Sequence, residues 1–213
     1  MLLRGRALVI DEITVEGGER IGAAEVRVTS SLQVGQIWNS SAQENVLQAL
    51  HRLPNVRTVN LQVENHPQGR VGVHIRVEDR EPYGIISLMG RGLFWVDGEG
   101  FLLGDMEGKP YLPIVTGLRT VKTPSGEQVA TEQAQRVIQE FYSLEGRRLS
   151  HFTQLDYREY DLELHSQEGW RVLLPIRGLA HQLTRLDRVF SALGDSRWRT
   201  LDLRFEGEVM LGP

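Results

Sequence analysis

Between Val71 and Glu78 apolar and polar residues alternate without a break: Val71, Val73, Ile75 and Val77 against Gly72, His74, Arg76 and Glu78. Successive side chains of a strand point to opposite faces, so this run reads as a β-strand with one oily side. Val56 to Glu64 repeats the pattern, with Val59, Leu61 and Val63 on one face. Asn65-His66-Pro67-Gln68-Gly69, between the two runs, is rich in turn formers. The pair predicts a hairpin, and a lone hairpin is marginal in water, so its apolar face needs a cover.

The preceding residues supply that cover. Ile10-Asp11-Glu12-Ile13-Thr14-Val15 predicts a half-buried strand ending at Gly17-Gly18. Gly22 to Thr29 predicts a short helix with Ala23 and Val26 on one side and Val28 as a third candidate. A polar, glycine-containing connection from Ser30 to Gly35 leads to Ile37-Trp38. Ser41-Ala42-Gln43-Glu44 has capping-box spacing and predicts the start of a second helix. Val46, Leu47, Leu50 and Leu53 give that helix one buried face, and Pro54 stops it. The expected order is strand, helix, helix, strand, strand.

After residue 80 the chain turns strand-rich. Tyr83 to Leu88 and Leu93 to Asp97 predict strands, and Gly98-Glu99-Gly100 turns the chain into Phe101-Leu102-Leu103. Pro110 to Leu118 is apolar and broken by prolines and glycine, which predicts a buried strand or extended segment. Thr131 to Leu144 predicts a helix burying Ala134, Val137, Ile138 and Phe141, with Gly146 as its stop. Tyr157 to His165 and Trp170 to Ile176 predict a long hairpin turning at Ser166-Gln167-Glu168-Gly169. A further helix is expected over Leu179 to Leu193, burying Leu179, Leu183, Leu186, Phe190 and Leu193. Trp198 to Phe205 and Val209 to Leu211 predict a terminal strand pair around Glu206-Gly207. The fold class is α+β, with the joint between the two parts at Asp79 to Pro82.

The chemistry is sparse. With no cysteine among 213 residues, thiol nucleophiles, disulfides and zinc–thiolate sites are excluded. The net charge of -4 offers no general attraction for nucleic acid, and the 24 basic residues, all arginine except Lys109 and Lys122, are scattered. Arg197, Arg199 and Arg204 near the end are diluted by Asp195, Asp202, Glu206 and Glu208, which argues against a phosphate track. His51, His66, His74, His151, His165 and His181 stand at no metal-ligand spacing and read as surface histidines. Gly98, Gly100 and Gly104 lie between two predicted strands, whereas a phosphate loop must lead into a helix. Asp97 and Glu99 read as a solvated turn, too few for a cation site. Glu159, Asp161 and Glu163, at every second position, are expected on a solvent-facing strand side. No G-x-S-x-G elbow is present. No catalytic, cofactor or metal residue is assigned, and the chain reads as a non-enzymatic binding protein.

The early element order with Leu53-Pro54-Asn55-Val56 resembles a POTRA module, a small domain that commonly binds other polypeptides. A longer ordered set of phrases resembles the extracytoplasmic part of the cell-division family FtsQ/DivIB. Ile13-Thr14-Val15-Glu16-Gly17 is similar to its opening strand, and Asp79-Arg80-Glu81-Pro82 to its domain junction, with Asp where Glu is usual. Val96-Asp97-Gly98-Glu99-Gly100 is similar to its V-D-x-x-G hairpin. Leu112 to Gly117 resembles its L-P-x-x-x-G segment, and Leu201-Asp202-Leu203-Arg204-Phe205 its closing D-L-R-Y strand with Phe for Tyr.

The resemblance implies a POTRA domain over residues 9–80 and a β domain over 81–211, a sheet carrying helices. It implies a divisome scaffold that binds FtsB/DivIC and FtsL-type partners and links them to the septal wall synthases, with no catalytic residue or cofactor. It also implies a single-pass plasma-membrane protein with this region on the extracytoplasmic side. The family's cytoplasmic tail and spanning helix are expected upstream of residue 1, this sequence then being a soluble piece or a shortened reading frame. The family's partner surface includes its last strands, which places the expected contact at Arg204, Phe205, Glu206, Gly207, Glu208 and Val209. There Arg204 is expected to reach a partner carboxylate, Phe205 to anchor, and Gly207 to permit close backbone approach. Two rivals come from other classes. One is a POTRA-bearing translocation or outer-membrane assembly component, which needs tandem modules or a barrel. The other is a wall hydrolase, which an assay on peptidoglycan would expose.

Overall fold

The structure, a computed structural model, describes residues 8–144, 151–193 and 199–212. The chain divides into two compact units, Met1–Glu81 with Lys122–Gly126 and Pro82–Val121 with Glu127–Pro213. The fold is mixed α+β.

In the first unit β1 (Leu8–Glu16), α1 (Ala23–Ser30), β2 (Ile37–Trp38), α2 (Ser40–His51), β3 (Val56–His66) and β4 (Arg70–Asp79) follow in order. The sheet runs β2-β1-β4-β3, with β3 and β2 antiparallel to their neighbours and β1 parallel to β4. The expected hairpin is present, with Leu61 opposite Ile75 and Val63 opposite Val73. Val71, Val73, Ile75 and Val77 are buried with Ile10, Val26, Trp38, Val46 and Leu50 in one core.

Three local readings are corrected. Helix α2 is capped by Asn39, whose side-chain oxygen accepts from the Ala42 N–H at 2.9 Å. Ser41 therefore sits inside the first turn and no capping box with Glu44 forms, because an equally good cap lies two residues upstream. In α1 the buried residues are Val26 and Ser30, and Val28 is 78% exposed, since residues two apart fall on opposite helix faces. The short β2, between the helices, extends the predicted element order.

In the second unit the described residues form β5 (Gly84–Leu88), β6 (Gly92–Val96), β7 (Leu102–Asp105) and β8 (Ile114–Thr116); then comes a hairpin of β9 (Thr120–Thr123) and β10 (Gly126–Val129), whose residues Lys122–Gly126 group with the first unit, followed by α3 (Glu132–Tyr142). They continue as β11 (Phe152–Tyr157), β12 (Asp161–Ser166), β13 (Arg171–Pro175), α4 (Leu179–Leu193), β14 (Thr200–Asp202) and β15 (Met210–Gly212). Nine of these strands make one sheet in the order β15-β14-β13-β12-β11-β8-β5-β6-β7. Helix α4 is the crossover between the parallel strands β13 and β14, the usual way to join such a pair.

Both helices contribute to one core with the sheet. Val137, Ile138 and Phe141 of α3 and Leu179, Leu183 and Leu186 of α4 pack with Ile86, Val115, Leu155, Leu164, Leu174 and Leu201. Burying each such side chain contributes about 1.5–3 kcal/mol. Thr131 caps α3 by accepting from the Ala134 N–H. At the other end the Tyr142 hydroxyl accepts from the Ile85 N–H at 2.9 Å and lies 2.6 Å from the carbonyls of Ile85 and Pro113, within donating distance. Burial holds that phenol well above its usual range. The Tyr142 ring lies so close to Gly84 that any Cβ there would overlap it.

Here too the sequence reading is corrected. Tyr157 to His165 is not one strand: Tyr157 ends β11, and the chain turns at 158–160, where the Arg158 N–H meets the Asp161 carbonyl. Glu159 is exposed in that turn, Asp161 is half-buried, and Glu163 is buried at 3% exposure rather than solvent-facing. Asp97 is also buried; its Oδ1 accepts from the N–H groups of Glu99 and Phe101, so it builds the β6–β7 turn. Strand β14 ends at Asp202, so Arg204 and Phe205 are in a connection, not a strand. Gly146 and Trp198 lie outside the described residues, as does the side chain of Leu193. Among the described residues no helix is long and apolar enough to cross a membrane.

Candidate functional site

The site is assembled where the large sheet ends. Leu201 and Leu203 are fully buried and fix β14 to the core, while β15 pairs antiparallel with β14 through Leu201–Leu211 and Asp202–Met210. No described strand pairs with the other side of β15. Its side chains are uncovered: Met210 is 48% and Leu211 49% exposed, with Phe205 at 50% just upstream. A strand border of unpaired N–H and C=O groups flanked by apolar side chains is a template for a further strand.

Residues 203–209 form the connection between the two strands. Glu206, Gly207 and Glu208 are exposed at its turn, and Val209 is 39% exposed. Gly207 has φ +77° with open space where a Cβ would sit, so its backbone conformation by itself calls for glycine. Arg204 is exposed but already paired. Its guanidinium bonds Asp202 at 2.7 Å and Asp161 at 2.8 Å, and its N–H also donates to Asp202. The hydrogen bond from Arg204 holds the Asp202 carboxyl below the usual range, and the same pairing raises the guanidinium. The six residues expected from sequence are thus all exposed here, with the Arg204 guanidinium already paired along the surface to Asp202 and Asp161.

Sequence reasoning missed Arg185. From α4 its Nη1 donates to the carbonyls of Leu203 and Phe205, each at 3.1 Å, and its Nη2 to that of Glu208. The helical pattern around it, Leu183 and Leu186 inward, located α4 but said nothing of what Arg185 would meet.

Polar groups gather at a second place, on the sheet side away from the helices. His165 Nε2 lies 3.0 Å from Asp156 and 3.6 Å from Glu163, and Glu163 also meets Arg158 and Arg171. Burial pushes the Asp156 carboxyl up, and hydrogen bonds from Gln154, Thr116 and His165 outweigh it, leaving the group below its usual range. Thr116 donates to Asp156 and not to the imidazole, so His165 has no hydroxyl to activate in this arrangement. In the first unit His66 Nδ1 lies 2.9 Å from Asp11, the residue at the β1 bulge. Both histidines are partly buried and paired, not free surface residues. Among the described residues no three His, Asp or Glu groups are placed to hold a metal.

No protein-family model matches the chain, and no curated protein matches it. Among solved structures it is similar to the major extracytoplasmic domain of the trans isomer of the bacterial cell-division protein DivIB from Geobacillus stearothermophilus. The identity is 16%, the TM-score 0.38, and the match covers 55% of this chain and 95% of that one. A likeness of that degree leaves fold and function to be argued from the chain itself.

Proposed function

We propose that this chain is a non-enzymatic docking protein of the bacterial division machinery, similar to FtsQ/DivIB. In this reading its first unit is a POTRA module and its second the family's β domain. The observation that carries the docking part is the terminal strand β15, unpaired on one side among the described residues and bordered by exposed Phe205, Met210 and Leu211. An extended segment of an FtsB/DivIC-type partner adds there as a further strand, with FtsL-type protein in the same assembly. Backbone bonds set register and the apolar side chains select the segment. The family part rests on the ordered sequence phrases, which fall on β1, the α2–β3 turn, the end of β4, the β6–β7 turn, β8 and β14. A plasma-membrane anchor upstream and an extracytoplasmic location belong to the same reading.

Titration calorimetry with the purified extracytoplasmic segment of an FtsB/DivIC-type partner tests it. Phe205→Ala weakens capture about tenfold or more while the melting temperature stays put. Wild-type protein that captures no such segment would remove the assignment.

A further inference from the structure

We propose that Arg185 is the positioning residue of the C-terminal edge: it pins the 203–209 connection to α4, and the order of β15 depends on that clamp. Its bearing on partner capture rests on the docking reading above; the clamp itself does not.

Three facts carry the inference. First, Leu203 and Arg204 are held by the Leu173 carbonyl and by Asp202 and Asp161, whereas the stretch after them has no regular structure and turns at Gly207 through φ +77°. Second, one guanidinium reaches carbonyls on both sides of that turn, Leu203 and Phe205 before it and Glu208 after it. Among the described residues Arg185 forms no ion pair, so its bonds go to backbone carbonyls in place of a carboxylate. Such a pattern is satisfied only in one loop conformation, and the planar fork suits it where a lysine head does not. Third, the column it stands on is rigid. Leu183 and Leu186, on either side of Arg185 in sequence, are 4% and 2% exposed in the core.

The dependent element is slight. Strand β15 has three residues and pairs with β14 alone among the described strands. A strand held by one short ladder frays readily unless its approach is fixed. With the approach fixed, a partner meets a formed template and does not bear the cost of ordering it.

Amide hydrogen exchange on the whole chain reads this directly. In Arg185→Met, which keeps the aliphatic stem, exchange across 205–212 rises about tenfold or more, while β12 and β13 keep wild-type protection. Arg185→Lys, which keeps the charge, shows the same loosening. Unchanged exchange across 205–212 in either variant overturns the clamp. If Arg185→Met loses protection in β12 and β13 as well, Arg185→Lys decides alone. Partner affinity, measured with the same segment, falls about fivefold to tenfold in both variants. Loosened exchange with unchanged affinity overturns the link to docking and leaves the clamp. A wild-type chain that captures nothing sinks the docking reading, and the exchange result stands apart from it.

Discussion

The two sheets end in very different borders. Strand β3 closes the first sheet with eleven residues, and β15 closes the second with three. Length alone would favour β3 as the place where another strand adds. The side chains say the reverse. Along β3 the exposed residues include Arg57, Thr58, Asn60, Gln62, Glu64 and Asn65, and Thr58 is bonded to Glu78 of the neighbouring strand. Charged and polar side chains are how natural sheets discourage edge-to-edge pairing. Along β15 there is no charge, and Met210 and Leu211 are half exposed beside Phe205. On the proposed docking reading, what marks an edge is thus the absence of such protection, not its reach.

The contrast can be broken by moving a charge. Leu211→Lys should cut partner capture by ten- to hundredfold in calorimetry, because a desolvated ammonium would sit within the added ladder. Gln62→Lys on β3 should change it by less than about twofold. Equal losses from the two would erase the distinction. A smaller effect is expected at the turn. Gly207→Ala places a Cβ on a left-handed residue and should lower stability by about 1 kcal/mol in denaturant unfolding, with no steric clash to add to it.

The smallest effects separate the two units by pH. Asp202 has a depressed folded pKa, so its bond to Arg204 contributes above the ordinary carboxylate value of about 3.9 and is lost as pH falls through the folded value. Protection at 200–204, taken relative to the intrinsic exchange rate, should therefore fall on acidification below about pH 4, and Asp202→Asn should flatten that response. His66 behaves oppositely. Its hydrogen bond to Asp11 raises its folded pKa, so the contribution is full below about 6.5 and fades as pH rises through the folded value. Protection near Asp11 in β1, taken relative to the intrinsic exchange rate at each pH, should fall from about pH 6 to 8 in the wild type and stay level in Asp11→Asn.

Much of this was legible in the sequence where periodicity governs. The alternation at 71–78 gave a strand flanked on both sides, and the leucine spacing at 179–193 gave α4 with its bounds. Where short-range chemistry offers equivalent choices, the reading slipped. Asn39 and Ser41 are both good caps, and only packing decides between them. Strand β11 was hidden because Thr153, Gln154 and Asp156 interrupt its apolar pattern, while β9 and β10 carry few apolar residues at all. Glu163 alternates like a surface residue, and it is buried because Arg158, His165 and Arg171 arrive from the turn and both β12 and β13. At the site, the stretch 204–209 was found, but the pairing of Arg204 with Asp161 and the clamp from Arg185 depend on residues 18 to 43 positions away, as the contact separations of Asp161 and the loop carbonyls show. No local pattern encodes those partners.

The most direct test of the account is amide protection on adding the FtsB/DivIC-type segment to the intact chain. Strand addition at β15 predicts new protection at 209–212 with little change along 56–66. Protection appearing along β3, or nowhere, would contradict it.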